Sequence, residues 1–466
     1  MQNNRSNFIL GIDLGTSGIR GVIVEKHPFS TAETIHASES IPLHSIQPTT
    51  PPFDPRFDHN TCQSPSTWIL LLDTLLRAFA QSFPLTQLTQ IIVDATSSTV
   101  LLCSAEGSPL TPALMYNNQQ AYQEACQIEQ ATAFDANTAA QGASSTLAKA
   151  LFLLKKQSLA SPPFICHQVD FINQYLSGCF NITDENNALK LGYDAITNTW
   201  PNWVTQLLNP ITLPTVVAPG TPIGLITKQN VRRYGFSPLL TVHAGTTDSI
   251  AGFLASGASQ QGDTVVSLGS TLAVKMIVPT PVFNQKYGIY SHKLKGNWLI
   301  GGASNSGGAV LLKEYSLAEI EYLIDSIEPS HLTVEALNPT NRYYPLNTIG
   351  ERFPIFDAQL KPKMPQKPKE PLTIHTTLPK NSALLKAHQR YFLNLIKGLV
   401  YIEDLAYKRL TQVSEQPVKR LYSVGGGEKN SVWQQCRRAQ FATQFELKTA
   451  HSLDAAYGVT KLITTG

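Results

Sequence analysis

Charge is scarce in this chain: Asp, Glu, Lys and Arg make up 15% of its 466 residues and nearly cancel, leaving a formal net charge of +3. Soluble domains usually carry roughly 25% charged residues. So small a surplus, with no basic stripe interleaved with aromatics, argues against a nucleic-acid partner and makes a neutral substrate the easier expectation. Long apolar runs are also missing. No stretch approaches the roughly 20 residues of a membrane span, so no membrane partner is expected. The opening Met1-Gln-Asn-Asn-Arg5 lacks the apolar core and cleavage site of a signal peptide, and no clear transit peptide is present. A cytoplasmic protein is expected, or a stromal one if the source is a plant. The six cysteines (62, 103, 126, 166, 179 and 436) form no Cys-x-x-Cys and have no His-x-x-x-His partner. Their spacing argues against metal-cluster and dithiol redox chemistry, and they read as reduced, buried small hydrophobes. The Asn-x-Ser/Thr triplets at Asn4 and Asn181 then carry no glycosylation meaning.

What remains is a chain with 42% hydrophobic residues and a mean hydropathy of −0.08, long for one core and suited to two domains. Gly11-Ile-Asp-Leu-Gly-Thr-Ser-Gly-Ile-Arg20 lies between the apolar runs Phe8-Ile-Leu10 and Gly21-Val-Ile-Val24, which predicts a strand, a polar glycine turn and a second strand. Glycine lets the backbone approach a phosphate and aim successive N–H groups at its oxygens, while Ser and Thr hydroxyls add donors. Asp13, two residues before Gly15, would repel a phosphate unless a hard cation lay between them, directly or through water, which implies Mg²⁺. An ordinary hairpin with a glycine bend would look the same locally. The phosphate reading is favoured by a near-echo, Val265-Val-Ser-Leu-Gly-Ser-Thr-Leu-Ala-Val274, with Gly269 in the place of Gly15. Two such turns, one per half, predict two similar domains facing each other across a nucleotide.

Between these turns the pattern is that of a layered α/β protein. Leu71, Leu72, Leu75, Leu76 and Phe79 recur at helical spacing from Trp68 to Phe83, and Gln90-Ile-Ile-Val-Asp94 reads as a buried strand. Asp94-Ala-Thr-Ser-Ser-Thr99 is then either a plain turn or a ligand loop at the carboxyl end of an open sheet. Leu240 to Asp248 reads as a strand ending in Gly-Thr-Thr-Asp, with Ser249 to Ala255 helical. Asp248 would suit a helix dipole, and its place beside that loop also makes it a candidate site residue. Gly301-Gly-Ala-Ser-Asn-Ser-Gly-Gly308 follows the strand Trp298-Leu-Ile300 and suggests a tight turn against a ligand. Lys361 to Lys380, rich in Pro and Lys, is a solvated connector, followed by an amphipathic helix from about Ser382 to Leu410. Strand Arg420 to Val424 leads into Gly425-Gly-Gly427 and a helix from Asn430 carrying Trp433, and three glycines there let a flat base or a phosphate lie on the backbone. Gly-x-x-x-x-Gly-Lys-Ser/Thr does not fit, so this is not a P-loop enzyme.

Taken in order, these pieces resemble the FGGY carbohydrate kinases of the actin-like ATPase superfamily, over nearly the whole chain. Asp13 to Arg20 resembles the first phosphate motif, Ser267-Leu-Gly-Ser-Thr271 the second, Gly425-Gly-Gly427 with Asn430 the adenosine motif, and Ala244-Gly-Thr-Thr-Asp248 the segment with the catalytic aspartate. Pro65-x-x-Trp68, Asp184 to Ala188 with Gly192 and Trp200, Gly350-Glu-Arg-Phe-Pro354 and Asp454-Ala-Ala-x-Gly458 are further marks. Within the family, Asp94-Ala-Thr-Ser-Ser-Thr-Val-Leu-Leu-Cys103, Leu189-Lys-Leu-Gly-Tyr193, Gly245 to Ser249 and Gly301-Gly-Ala-Ser-Asn305 are similar to the short pentulose kinases of cyanobacteria and plants. Two stretches depart from typical xylulokinases: Thr96-Ser-Ser-Thr99 replaces a Gln-x-His-Gly sugar loop, and Asn118-Gln-Gln120 replaces Asp-x-Arg.

The resemblance implies two α/β domains of actin-like (ribonuclease H-like) fold facing each other across a nucleotide and sugar cleft. They would comprise residues 1–253 and 254–449, with a C-terminal helix in 450–466 packing back on the first. It implies an ATP-dependent kinase acting on a terminal hydroxyl of a small ketose, foremost a pentulose such as D-ribulose or D-xylulose, as a monomer or homodimer. Asp248 would accept the hydroxyl proton, Asp13 would hold Mg²⁺ through water and touch the sugar, and Ser97 would contact a sugar hydroxyl. Gly15, Thr16, Ser17, Gly269, Ser270 and Thr271 would cradle the phosphates, and Gly426, Gly427, Asn430 and Trp433 would border the adenine. The alternatives are an actin-like ATPase without sugar and a sugar sensor without efficient catalysis. Asp248 with Gly350-Glu-Arg352 speaks against the first, and the full set of phosphate motifs against the second.

Overall fold

The computed structural model describes residues 7–27, 33–47, 54–131, 138–156, 161–328, 342–372, 379 and 382–464. The Asn4 triplet and residues 373–378 and 380 of the expected connector lie outside them. The chain divides into two compact units, Met1–Ala255 with Asp454–Gly466, and Ser256–Leu453.

The first unit is built on a six-stranded sheet. Its strands are β1 (Asn7–Gly15), β2 (Gly18–Lys26), β3 (Glu33–Pro42), β5 (Leu88–Ala95), β11 (Pro222–Leu225) and β12 (Thr241–Thr247), in the order β11-β12-β5-β1-β2-β3. β1 and β2 form the predicted antiparallel hairpin, closing at Gly15 opposite Gly18. β5 runs parallel to β1, and β12 parallel to β5, so the carboxyl ends of all three share one edge. β1 and β5 are near-continuous apolar runs because the sheet is covered on both faces. On one side lies the helix Pro65–Ser82, which starts with Pro in its first turn and buries Trp68, Leu71, Leu72, Leu75, Leu76 and Phe79. A smaller sheet of β4 (Cys62–Gln63), β6 (Val100–Cys103), β7 (Ala113–Leu114) and β8 (Phe164–His167), in the order β4-β7-β6-β8, packs with the helix Thr146–Lys156 around a core of its own. β9 (Ile182–Asp184) and β10 (Thr215–Val217) form a parallel pair.

The C-terminal segment completes this unit. Its helix Ala455–Val459 lies against β1, where a Cβ on Gly11 would come 2.0 Å from the Ala456 carbonyl oxygen. The Lys26 ammonium donates to the carbonyls of Thr460 and Ile463 at 2.9 and 2.8 Å, supplying partners for backbone acceptors past the helix end.

The second unit repeats the plan. Its strands are β13 (Asp263–Leu268), β14 (Leu272–Val278), β15 (Tyr290–Leu294), β16 (Asn297–Ala303), β17 (Arg420–Val424) and β18 (Glu446–Thr449), in the order β15-β16-β14-β13-β17-β18. The run β16-β14-β13-β17-β18 has the same pairing senses as β3-β2-β1-β5-β12: two antiparallel steps, then two parallel ones. The echo between residues 11–20 and 265–274 is therefore a repeat of topology. The helix Ala383–Ser414 starts on a Ser382 hydroxyl cap and buries Phe392, Leu395, Ile396, Leu399, Tyr407 and Leu410.

One expectation is corrected. Gly301 and Gly302 belong to β16 and are not part of a turn. A side chain at 301 would reach 1.9 Å from the Val274 carbonyl oxygen, and one at 302 would reach 2.5 Å from the Phe353 ring. Glycine serves close packing there, and the chain bends only after Ala303.

Gly11→Ala should force the C-terminal segment off β1. We expect a loss of about 1–3 kcal/mol in equilibrium denaturation and earlier proteolysis near residue 454. An unchanged midpoint with an unchanged cleavage pattern would contradict this packing account.

Candidate active site

Strand register alone gathers the first group of candidates. Asp13 in β1 sits opposite Asp94 in β5, which sits opposite Thr246 in β12. Just past these carboxyl ends come the β1–β2 turn, the loop Thr96–Thr99, and Asp248, first residue of the helix Asp248–Ala255. Asp13, Gly15, Thr16, Ser17, Ser97 and Asp248 thus issue from one edge of one sheet, where open α/β sheets take their ligands.

The turn is open. Thr16 and Ser17 are exposed, their carbonyls are tied back by Gln63 Nε2 at 3.2 Å and the Leu43 amide at 2.7 Å, and the nearest atoms to a Cβ on Gly15 would lie 3.8 Å away. Asp248 is half-buried, and its Oδ1 accepts from the Ser249 amide at 2.6 Å.

Negative charge is concentrated at this edge. Asp13 is 6% exposed, and burial, then the charge of Asp248, push its pKa up to about 6. Arg20 pulls the other way, but its Nη1 is 3.4 Å from Oδ2 and its side chain is 58% exposed, so solvent screens the pair. Asp94 is fully buried, and its two oxygens accept from no donor. Burial, then Asp13 and Asp248, raise its pKa well above the carboxylate range. Its carboxyl meets that of Asp13, and two carboxyls in contact are compatible only with a proton held between them. The sequence reads Asp94 as the end of a buried strand and the head of the loop after it, and assigns it no role. The signal available was an acid ending an otherwise apolar strand.

The loop after β5 leaves one side chain to offer. Thr96 Oγ1 bonds Gln168 Oε1 and Thr99 Oγ1, each at 2.6 Å. Ser98, in the left-handed region at φ 69°, donates from Oγ to the Ser144 carbonyl at 2.7 Å. Thr96, Ser98 and Thr99 are buried, and Ser97 is half-exposed. Nearby, Asn118 and Gln120 hydrogen-bond each other in both directions, at 3.1 Å each, and Asn118 Nδ2 also donates to Thr61 Oγ1 at 2.8 Å.

In the second unit, the turn Gly269–Thr271 joins β13 to β14. Its carbonyls at Gly269 and Ser270 accept from the amides of Gly308 and Ala309 at 2.8 and 3.1 Å, leaving the Ser270 side chain exposed and that of Thr271 half-exposed. Behind it the buried carboxylate of Glu351 gathers four donors: Ser304 Oγ at 2.6 Å, the Asn305 amide at 2.7 Å, the Arg352 amide at 2.8 Å and Tyr344 OH at 2.9 Å. Glu351, known from the sequence only as part of a pattern, thus fixes the segment that braces this turn.

The adenosine-motif residues separate. Gly426 is exposed with nothing within 4 Å of a Cβ, and Gly427 rests on the Trp433 ring, which a Cβ would approach to 2.8 Å. Trp433 itself is 1% exposed and lies within the core. The expected adenine contact from its side chain is therefore corrected: the ring supports Gly427 from below, because the helix Ser431–Phe441 turns Val432, Trp433 and Cys436 inward together. Asn430 Oδ1 caps that helix, accepting from the Trp433 amide at 3.0 Å. The buried ion pair Arg437–Glu403, with N–O distances of 3.0 Å, steadies the same helix and reaches the turn through Gln434 and Glu428.

Among the described residues no group of three or more His, Cys, Asp or Glu could hold a metal by itself. Mg²⁺ needs no such cage, since it keeps several waters and binds through one or two carboxylates plus substrate phosphates. A crowded Asp13 with only a screened cation beside it fits that donor set. No helix among the described residues is long and apolar enough to cross a membrane.

Comparisons with known proteins place the chain in a family. Residues 8–255 match the N-terminal domain of the FGGY family of carbohydrate kinases. The chain is 21% identical to the xylulose kinase of Staphylococcus xylosus over 98% of its own length and 91% of that protein's. It is similar in structure to the xylulose kinase from Rhodospirillum rubrum, with TM-score 0.74 at 18% identity, covering 98% of this chain and 89% of that one. It is also similar to the gluconate kinase from Lactobacillus acidophilus, with TM-score 0.71 at 18% identity, covering 98% and 88%. The fold is that of actin-like ATPases, with two sheet-containing domains, and the chain belongs to the FGGY family of carbohydrate kinases, phosphotransferases that use ATP.

Proposed function

We propose that this sugar kinase transfers the γ-phosphoryl group of ATP to a terminal hydroxyl of a neutral pentulose, D-ribulose or D-xylulose. The observation that carries the reading is the acidic edge of the first unit. Asp13, Asp94 and Asp248 lie together and the cation seen beside them is the largely exposed Arg20. Such an edge would repel a sugar acid like gluconate and accept a polyol through hydrogen bonds. The likeness to xylulose kinases supports the same choice.

Phosphoryl transfer asks for positioning and charge neutralisation more than for covalent chemistry. Asp248 accepts the proton as the O–H bond of the sugar breaks, a new O–P bond forms, and ADP leaves with the electrons of the cleaved P–O bond. Ser97 orients the sugar. Thr16 and Ser17 with the Gly15 amide, and in the second unit Ser270 and Thr271 with the Gly269 amide, hold phosphate oxygens. Gly426 and Gly427 give the adenine a flat backbone surface, and Asn430 keeps that turn in place. Asp13 would hold Mg²⁺ through water, and the ion, when bound, would offset charge on the phosphates.

ADP release measured against ketoses, polyols, aldoses and gluconate tests the substrate. A pentulose should give the highest kcat/KM, and gluconate or glycerol in first place would refute the reading. Asp248→Ala should retain ATP binding and lose sugar-dependent ADP release by at least about 10²-fold; near-wild-type turnover would remove Asp248 from this role.

Asp13 carries a second consequence. Below pH 3.8 both folded and unfolded chains hold its proton, between 3.8 and about 6 only the folded chain does, and above that neither does. Its burial therefore destabilises the metal-free fold increasingly as pH rises through this window. Asp13→Asn should abolish Mg²⁺-dependent turnover while stabilising the metal-free protein by on the order of 2–3 kcal/mol at pH 8, with the gain vanishing toward pH 4. Denaturation at the two pH values reads this, and equal shifts at both would count against it.

A further inference from the structure

One buried cation has no place in the scheme above. Lys149, in the helix Thr146–Lys156, is 0% exposed. Its ammonium donates to two main-chain carbonyls, that of Ser98 at 2.6 Å and that of Met115 at 2.8 Å. Among the described residues no carboxylate is seen in an ion pair with it. The charged group acting on it most is another cation, Lys190, and burial with that repulsion pushes its pKa down to about 7. A charge buried without a counter-ion is costly, so a gain in fold stability is a poor explanation for it.

What Lys149 joins is more telling. β6 begins at Val100, which pairs with Leu114 at the end of β7 and with His167 at the end of β8. The loop Thr96–Thr99, the stretch Met115–Gln120 and the residue Gln168 therefore emerge at one end of the smaller sheet. Ser98 carries the left-handed turn that presents Ser97, and the neighbours of Lys149 hold it too, Thr146 Oγ1 donating to Ser98 Oγ at 3.2 Å and Ser144 accepting from it. Met115 O also accepts from the Asn118 amide at 3.0 Å, so the same carbonyl anchors the Asn118–Gln120 amide pair.

We infer that Lys149 is a positioning residue for sugar selectivity, its ammonium pinning the Ser97 loop and the Met115–Gln120 stretch at a fixed separation so that both meet one sugar in register. The inference rests on the reading of Ser97 as a sugar contact. The Lys149 side chain is wholly buried, and it acts through the two carbonyls that it holds. A neutral side chain of similar length would fill the space and release both loops, whereas an amide keeps donors for one of them.

The test compares Lys149→Met and Lys149→Gln with the wild-type enzyme. It reads kcat and KM for the preferred sugar, the ratio of kcat/KM between that sugar and its C3 epimer, and KM for ATP. Lys149→Met should raise the sugar KM at least about tenfold and flatten the epimer ratio, with the ATP KM within about twofold of wild type, and Lys149→Gln should recover part of the loss. Unchanged sugar KM and epimer ratio in folded Lys149→Met would overturn the inference. So would equal losses toward ATP and sugar, or failure of both variants to fold, since each marks a purely structural lysine. The wild-type sugar panel judges the pentulose reading separately. If another sugar proves preferred, that reading falls, while the ratio between variant and wild type for the preferred sugar still decides the role of Lys149.

Discussion

The contact between Asp13 and Asp94 is the constraint around which the first unit is organised. Two adjacent parallel strands place the carboxyls side by side in register, one nearly and the other wholly buried, with Asp248 one strand further along. Left to itself the arrangement is unfavourable: it holds protons on groups that water would ionise. It persists because β1 and β5 are fixed by packing on both faces of the sheet, and a bound cation would relieve the electrostatic strain. A cation with a phosphate, or a sugar hydroxyl that gives up a proton, is the kind of visitor such an edge favours.

The second unit meets the same topological plan with different chemistry. Where β5 of the first unit ends in Asp94 and Ala95, the corresponding β17 ends in Val424 and runs into glycines. Its charged groups are set back from the turns and act as braces: Glu351 with four donors behind Gly269–Thr271, and Arg437–Glu403 behind Gly425–Gly427. The first unit keeps acids at the carboxyl ends of its strands, and the second sets the buried acids Glu351 and Glu403 behind its turns. The same glycine turn thus occurs twice in one topology, with different residues at the neighbouring strand ends.

Much of this was legible locally. A glycine turn between two apolar runs is a short-range signal, and both hairpins, the strand ending at Asp94 and the helix after Asp248 follow from it. The failures are non-local. Trp433 reads as a surface aromatic beside a glycine turn, and it is core because Leu268, far away in sequence, packs against the same glycine. Gly301 and Gly302 read as a turn because what excludes their side chains, Val274 and Phe353, comes from other segments. The pairing of Asp13 with Asp94 depends on a crossover through the helix Pro65–Ser82, and no spacing rule reveals it. Lys149 carried a signal that could have been read: it stands in a helix whose residues from Thr146 to Leu153 are all buried, so no polar face was left on which a lysine could be solvated.

The low charge content follows from the same economy. Around the loops that follow the strand ends of the first unit, the connections beside the Lys149 ammonium are made by amides and hydroxyls: Gln168 to Thr96, Asn118 to Gln120, Asn186 to Thr246 at 3.1 Å. Neutral hydrogen bonds fix geometry there without altering the potential around Asp13 and Asp248. A salt bridge in the same position would hold the loops equally well, but it would place a full charge near carboxyls whose proton affinity depends on their neighbours. Asn118 and Gln120 therefore keep a mutual contact while adding no charge to the field of Asp13 and Asp248.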